Sequence, residues 1–179
     1  TWEGDSWKRG GGSTWVTGSF DPALNLIYWG TGNPGPDLYG HDRDGDNLYT
    51  DSVLALDPST GKIRWHFQFT PEDVHDWDSN ETMILFEAQI GGRERKLLAQ
   101  ANRNGFYYTL DRVNGQLLVA KPFIVTTWAK EIGKDGRPIL LPGHTPDEKG
   151  ETTCPDIFGG TNFNPPSYDP SSRLFFVNA

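Results

Sequence analysis

A hairpin signature repeated four times constrains this chain more than any other feature. Ser52–Trp65 reads as an apolar strand, a tight turn at Asp57-Pro58-Ser59-Thr60-Gly61, and a second strand. Proline presets φ for the turn, and glycine tolerates the positive φ that closes it. Phe106–Leu118 repeats the pattern, with Asp111 and Gly115 at the spacing of Asp57 and Gly61. Weaker copies are Ser19–Tyr28 and Ser167–Phe176, so the turn aspartates are Asp21, Asp57, Asp111 and Asp169. Their separations of 36, 54 and 58 bracket the roughly 40–50 residues of a propeller blade with loop insertions. The expectation is an all-β chain, residues 1–179 forming about three to four blades or part-blades of one β-propeller. A β-sandwich built of hairpins is the alternative architecture. Blades cannot bury their faces alone, so such a piece needs neighbours.

Composition agrees with strands rather than helices. Seven Trp, ten Phe and six Tyr are punctuated by 21 Gly and 13 Pro, the usage of aromatic strands separated by turns. A net charge of -8 argues against a nucleic-acid partner, because phosphate binding needs clustered Lys and Arg. No apolar run approaches the roughly 18 residues of a membrane span. The chain opens on Thr1-Trp2-Glu3 and closes on an apolar run, Leu174–Val177. It is therefore read as an internal piece of a longer protein, and the absence of a leader carries no argument about compartment. Cys154 is the single cysteine, either a buried thiol or half of a disulfide.

Two segments interrupt the hairpins: 31–47, a polar loop, and 124–165, rich in Gly, Pro and charge. Long insertions without regular structure are usually functional or disordered. Three motifs bear chemistry. Gly10-Gly11-Gly12-Ser13-Thr14-Trp15 sets an aromatic after a flexible backbone, suited to stacking on a planar ligand or to packing between blades. Asp73-Val74-His75-Asp76-Trp77-Asp78 offers carboxylates at i and i+2 for a hard cation or a general base, or else forms a solvated acidic turn. Asn102-Arg103-Asn104-Gly105 places an Arg that clamps a carbonyl or carboxylate, or simply a surface Arg in a turn. The alternation Asp42/Asp44/Asp46 lacks the downstream Glu of an EF-hand.

Taken in order, these strings resemble one family. Gly-Gly-Gly-Ser-Thr-Trp, Gly-Thr-Gly-Asn-Pro-Gly-Pro, Gly-Asp-Asn-Leu-Tyr-Thr, Leu-Asp-Pro-Ser-Thr-Gly-Lys-Ile-Arg-Trp, Thr-Pro-Glu-Asp-Val-His-Asp-Trp-Asp, Asn-Arg-Asn-Gly-Phe and Gly-Gly-Thr-Asn-Phe are similar to the methanol/ethanol family of pyrroloquinoline-quinone (PQQ) dependent dehydrogenases. The resemblance implies an eight-bladed propeller of which this chain is a part. It also implies a tryptophan-docking repeat in which Trp65 packs on the adjacent blade. By motif, Trp15 is the floor beneath the PQQ ring and Ser13 stands where a Thr usually bonds a PQQ carboxylate. Arg103 and Asn162 match groups that bond the quinone carbonyls. Asn33, Asp76 and Asp78 match metal ligands, and Asp76 also matches the catalytic base. An added carboxylate favours a trivalent ion over a divalent one, so Asp78 points to a lanthanide. His75 departs from the Trp of the best-known lanthanide-dependent members, and calcium stays the alternative.

The implied activity is oxidation of a small primary alcohol to an aldehyde, with electrons passing to a cytochrome c. A haem c domain outside this chain and a homodimer are both compatible with it. The resemblance places a metal-binding Glu and a vicinal disulfide upstream. It also places a half-cystine at Cys154 whose partner lies beyond Ala179, in keeping with a bacterial periplasm. Two rivals share the repeat: a non-enzymatic propeller scaffold and a PQQ-dependent sugar dehydrogenase. The scaffold has no need of Trp15, Asn33, Asp76 and Arg103 together.

Overall fold

A computed structural model describes residues 1–179. Twelve strands form: β1 Ser19–Asp21, β2 Leu26–Gly30, β3 Ser52–Leu56, β4 Ile63–Gln68, β5 Ile84–Ile90, β6 Arg93–Ala101, β7 Phe106–Asp111, β8 Leu117–Pro122, β9 Ala129–Ile132, β10 Pro138–Leu140, β11 Ser167–Asp169 and β12 Leu174–Phe176. The order β1-β2-β3-β4 makes one antiparallel sheet and β5-β6-β7-β8 a second, each a complete blade; β11 and β12 pair as a separate hairpin. The only helical element is the 3-10 turn Ser6–Lys8, and no helix is long and apolar enough to cross a membrane.

All four Asp turns form, and by one mechanism. Asp21 Oδ1 accepts the backbone N–H groups of Ala23 and Leu24, at 2.8 and 3.2 Å. Asp57 Oδ1 accepts those of Ser59 and Thr60, at 2.9 and 3.2 Å. Asp111 and Asp169 accept from Val113 and Ser171. Four residues after each aspartate the chain enters the left-handed region: Asn25 at φ 52°, Gly61 at 68°, Gly115 at 78° and Arg173 at 61°. The aspartate thus supplies a local acceptor that replaces a ladder bond.

The grouping of hairpins into blades follows from long-range pairing. β2 pairs with β3 in the register Ile27↔Leu56 to Gly30↔Val53. Asp21 and Asp57 therefore turn within one blade, and the separation from one complete blade to the next is that between Asp57 and Asp111. The segment 124–165 is also less irregular than its composition suggests. It contains the β9–β10 hairpin, closed by Lys134-Asp135-Gly136 with Gly136 N–H on Gly133 O at 2.9 Å. Asp-Gly is a hairpin signal, masked in the sequence by flanking charge. Gly136 lies against Phe67 and Arg137 pairs with Asp46 at 2.6 Å, fixing this hairpin over the first blade.

The blades are sealed at their Asp-turn end. Trp65 of β4 packs on Gly115, where an added Cβ would lie 2.6 Å from the ring atom Cε3. Tyr28 Oη donates to Arg112 O at 2.8 Å, and Arg112 Nε meets Asp21 Oδ2 at 2.6 Å, both partners buried. Burial raises the Asp21 pKa, but the Arg112 hydrogen bond and two backbone N–H groups outweigh it and hold the carboxyl below its usual range. Further along, Phe69, Trp77, Phe106, Tyr108 and Trp128 form an aromatic core between the blades.

Candidate active site

The registers put the motif-bearing segments at the end opposite the Asp turns. Residues 31–51 join β2 to β3, 69–83 join β4 to β5, and 102–105 join β6 to β7. Gly10–Trp15 precede β1, and 123–166 follow β8, at that same end of the ladders.

The centre of this loop end is a guanidinium between two carboxylates. Arg103 Nη1 donates to Asp78 Oδ2 at 2.6 Å, and its Nη2 lies 3.8 Å from Asp76 Oδ2 and donates to Ile157 O. Arg103 is buried, so the surface-Arg reading of its turn does not hold. The turn is tied by its own asparagines: Asn102 Oδ1 accepts from Asn104 N, and Asn104 Oδ1 accepts from Phe106 N. Gly159 and Gly160 then close over the Arg103 backbone. The solvated-turn reading of 73–78 fails likewise. Asp73, His75, Trp77 and Asp78 are buried, and Asp73 accepts the N–H groups of His75 and Trp77 at 2.9 and 2.7 Å. Asp76 keeps a partly exposed side chain at φ 63°. Burial pushes its pKa up to about 6; Arg103 pulls against this, while Asp78, Asp37 and Asp73 add to it.

Asn33 joins the same cluster. Its backbone N–H donates to Asp78 Oδ1 at 3.1 Å, and its side-chain Nδ2 donates to Asp37 Oδ1 at 2.9 Å. The amide nitrogen is thereby used, and Oδ1 is the atom left to act as a ligand. Gly32 is required here, since a Cβ would sit 2.2 Å from Asp78 Oδ1. Ser13 is exposed, and its carbonyl accepts Gly32 N–H at 2.7 Å. Trp15 is 49% exposed rather than buried between blades, and its edge is anchored. With its side-chain amide oriented to suit its neighbours, Asn80 accepts Trp15 Nε1–H at 3.0 Å and donates to Gly30 O at 2.7 Å. Asn162 stays within its own loop, donating to Phe158 O and accepting from Phe163 N, while the Phe163 ring lies 6.3 Å from that of Trp15. Cys154 has no disulfide partner in the chain; its thiol donates to Val125 O at 3.0 Å.

Two structural residues escaped the sequence reading. Asn80 is one. The other is Arg43, buried, which donates to Asn47 Oδ1, Pro36 O and Asp73 O and so ties the Asn33 loop to the Asp76 segment. Its place among Asp42, Asp44 and Asp46 gave it the look of a solvated charge.

Comparison with known proteins identifies the lineage. Residues 1–121 match the PQQ family described as the β-propeller domain of glucose/ethanol/alcohol dehydrogenases. The chain belongs to this family. It is 45% identical over 185 residues to the quinoprotein alcohol dehydrogenase PedH of Pseudomonas putida, covering 99% of this chain and 31% of that protein. It is 42% identical over 180 residues to the lanthanide-dependent methanol dehydrogenase of Methylacidiphilum fumariolicum, covering 99% and 30%. In structure it is similar to a europium-containing methanol dehydrogenase (TM-score 0.94, 42% identity, 98% of this chain, 31% of that one). The quinohemoprotein alcohol dehydrogenase of Comamonas testosteroni is also similar (TM-score 0.95, 39% identity, 99% and 27%). The chain thus spans about a third of the length of these relatives, and its sheets are blades of the family propeller.

The residues present fit the groups that family membership implies, in part. The oxygen donors of Asn33, Asp76 and Asp78 suit a hard cation. No cluster of three or more His, Cys, Asp or Glu side chains that could hold a metal ion forms in this chain. Trp15 presents an open ring face, and Arg103 Nε has no partner.

Proposed function

We propose that this chain is part of the catalytic face of a periplasmic quinoprotein alcohol dehydrogenase that oxidises a primary alcohol to an aldehyde. One observation carries the reading: Asp76, Asp78, Arg103 and Asn33, from three separate loops, converge on one another through contacts of 2.6–3.8 Å. In this reading Trp15 and Ser13 hold the quinone ring and a carboxylate, and Arg103 and Asn162 meet its carbonyl oxygens. Asn33, Asp76 and Asp78 contribute ligands to a Ca²⁺ or lanthanide ion. When bound, the quinone supplies a two-electron acceptor and the cation a Lewis acid.

The chain's own residues prepare the proton transfer. Asp76, raised to about 6, is ionised at neutral pH and accepts the alcohol hydroxyl proton. Arg103 restrains the Asp76 and Asp78 carboxylates, and its buried charge offsets theirs. Trp77 and Trp128, both buried and tilted against each other behind the site with ring centroids 5.2 Å apart, keep water from its base. Asp78 is the carboxylate that favours a lanthanide. Electrons leave to a cytochrome c.

The test is dye-linked alcohol oxidation by the full-length protein, reconstituted with PQQ and either Ca²⁺ or La³⁺. Turnover that needs PQQ supports the reading. Turnover with La³⁺ alone, lost as a preference in Asp78→Ala, supports the lanthanide. No PQQ-dependent turnover of any alcohol or sugar favours the scaffold.

A further inference from the structure

One buried side chain bonds the main chain of both loops that carry Asn33 and Asp76. Arg43, on the loop that joins β2 to β3, is only 1% exposed. Its Nη2 donates to Asp73 O at 2.6 Å and to Pro36 O at 3.1 Å, and its Nη1 donates to Asn47 Oδ1 at 2.6 Å. Asn47 Nδ2 donates back to Arg43 O at 2.6 Å, so the residue is held at its root as well as at its tip.

Both Nη2 contacts lead to the site. Asp73 takes the N–H groups of His75 and Trp77 on its carboxylate and so shapes the turn on which Asp76 sits at φ 63°. Pro36 precedes Asp37, whose Oδ1 accepts from Asn33 Nδ2 at 2.9 Å. A line of bonds thus runs from the Asp76 turn through Asp73 O, Arg43, Pro36 O and Asp37 to the Asn33 amide. At its end the amide nitrogen is engaged and Oδ1 is left free. The direct link between the two loops, Asn33 N–H to Asp78 Oδ1, holds only the Asn33 backbone. The way Arg43 is used also matters. Asp73 and Asp51 lie close enough to feel its charge, yet its guanidinium pairs with no carboxylate and is spent on one carbonyl from each loop and on Asn47. A rigid planar fork suits that task.

We propose that Arg43 is a positioning residue of the site: it fixes the Asn33 loop against the Asp76 turn, and Asp37 passes that placement on to the Asn33 amide. The inference rests on the alcohol-dehydrogenase reading and adds two residues that act through Asn33 and Asp76 rather than on the reacting groups. Partners of this kind orient the ligands they touch, and their loss typically lowers metal affinity or activity about 10–100-fold.

The experiment uses the full-length protein. Tb³⁺ alone is titrated into the chelator-treated, PQQ-loaded enzyme, and tryptophan-sensitised luminescence gives Kd. Separately, kcat and KM for methanol, ethanol and 1-butanol are measured at saturating La³⁺ or Ca²⁺. Arg43→Lys keeps the buried charge and replaces the fork by a point donor. Its Kd for Tb³⁺ should rise about tenfold or more. Its kcat should fall by about 10–100-fold with KM within about twofold, because a misplaced group is felt in turnover more than in binding. Arg112→Met, at the Asp-turn end, is the stability control: it should lower the unfolding midpoint while Tb³⁺ affinity and kcat of the folded protein stay at parent values. A comparable loss of affinity in Arg112→Met would mean that any destabilisation loosens the site, and overturns the inference. Asp37 is exposed, so its variants test the same line without disturbing the core. Asp37→Asn and Asp37→Leu both remove the charge, but only Asn keeps an acceptor for Asn33 Nδ2, and Tb³⁺ should bind severalfold more weakly to the Leu variant. If Arg43→Lys does not fold, this pair decides. Equal affinities in the pair, or an affinity and kcat that survive Arg43→Lys, overturn the inference, while PQQ-dependent turnover by wild type leaves the enzyme reading intact. No PQQ-dependent oxidation of any of these alcohols by wild type overturns both.

Discussion

Substituting Gly115 by Ala tests whether the seam between the two blades depends on Trp65. Gly115 sits at φ 78° with Trp65 Cε3 and Cδ2 at 2.6 and 3.0 Å from the position of an added Cβ. A left-handed Ala costs about 1–2 kcal/mol, and the stiffer unfolded chain returns about 0.4–1. Overlap with a ring held between Gly115 and Tyr28, whose ring is 5.6 Å away, adds about 1–3 kcal/mol. The net is roughly 3 kcal/mol. Gly91 supplies the control: its φ is 62° and nothing lies within 4 Å, so Gly91→Ala carries only the conformational cost, about 1 kcal/mol or less. Guanidinium unfolding of both variants gives the difference, expected near 2 kcal/mol. In a Trp65→Leu background the cost of Gly115→Ala should shrink to that of Gly91→Ala, since the overlapping ring is gone. Equal costs for the two glycines in the parent, or no relief in the Trp65→Leu background, would refute the packing argument.

Three further outcomes are expected. Arg112→Met strands the buried Asp21 carboxylate and should cost about 3–5 kcal/mol by chemical unfolding, whereas an effect below 1 kcal/mol would mean the pair is solvated. The folded Asp21 carboxyl titrates below its ordinary 3.8, so its ionised form contributes stability above pH 4 and loses it as pH falls through the folded value. Stability of the parent should therefore drop on acidification below pH 4 more steeply than that of a variant carrying Asp21→Asn with Arg112→Met, read by thermal unfolding across pH 2–5. Asp76→Asn should lower alcohol turnover by about 10²–10⁴ with PQQ still bound, checked by dye-linked rates and cofactor absorbance.

What the sequence made legible was local. Each Asp turn is written in residues that bond to their immediate neighbours, so the hairpins at Asp21, Asp57, Asp111 and Asp169 could be placed from spacing alone. The partition of hairpins into blades was not legible, because the pairing of Ile27 with Leu56 spans a loop that periodicity does not report. At the site, the residue types at 76, 78 and 103 were readable as chemistry, but their burial was not. Arg103 is buried because Asn102 and Asn104 tie its turn and because Gly159 and Gly160 arrive from far along the chain. Arg43 was missed for a related reason: a charge among charges looks solvated until the fold encloses it.

The two ends of the blades solve opposite problems. At the Asp-turn end, the buried carboxylate and phenol are paired, Asp21 with Arg112 and Tyr28 with a main-chain carbonyl, and the orphaned atoms are single ring or guanidinium nitrogens such as Trp65 Nε1 and Arg95 Nε, with no carboxylate among them. At the loop end carboxylates are orphaned as well. Both oxygens of Asp51, one of Glu81, both nitrogens of His75 and Nε of Arg103 are buried without partners. Burial raises the carboxyl pKa values of Asp51 and Glu81 well above the usual range, and Asp73 and Asp78 add to that of Asp51. Five carboxyl groups (Asp51, Asp73, Asp76, Asp78 and Glu81) face two guanidiniums, Arg43 and Arg103. Such an excess is costly in a closed protein interior. It is better matched to a face completed by further charged or polar groups from outside these blades. The unsatisfied end is thus the part of the chain whose physics calls for partners, and the sealed end is what holds it in shape.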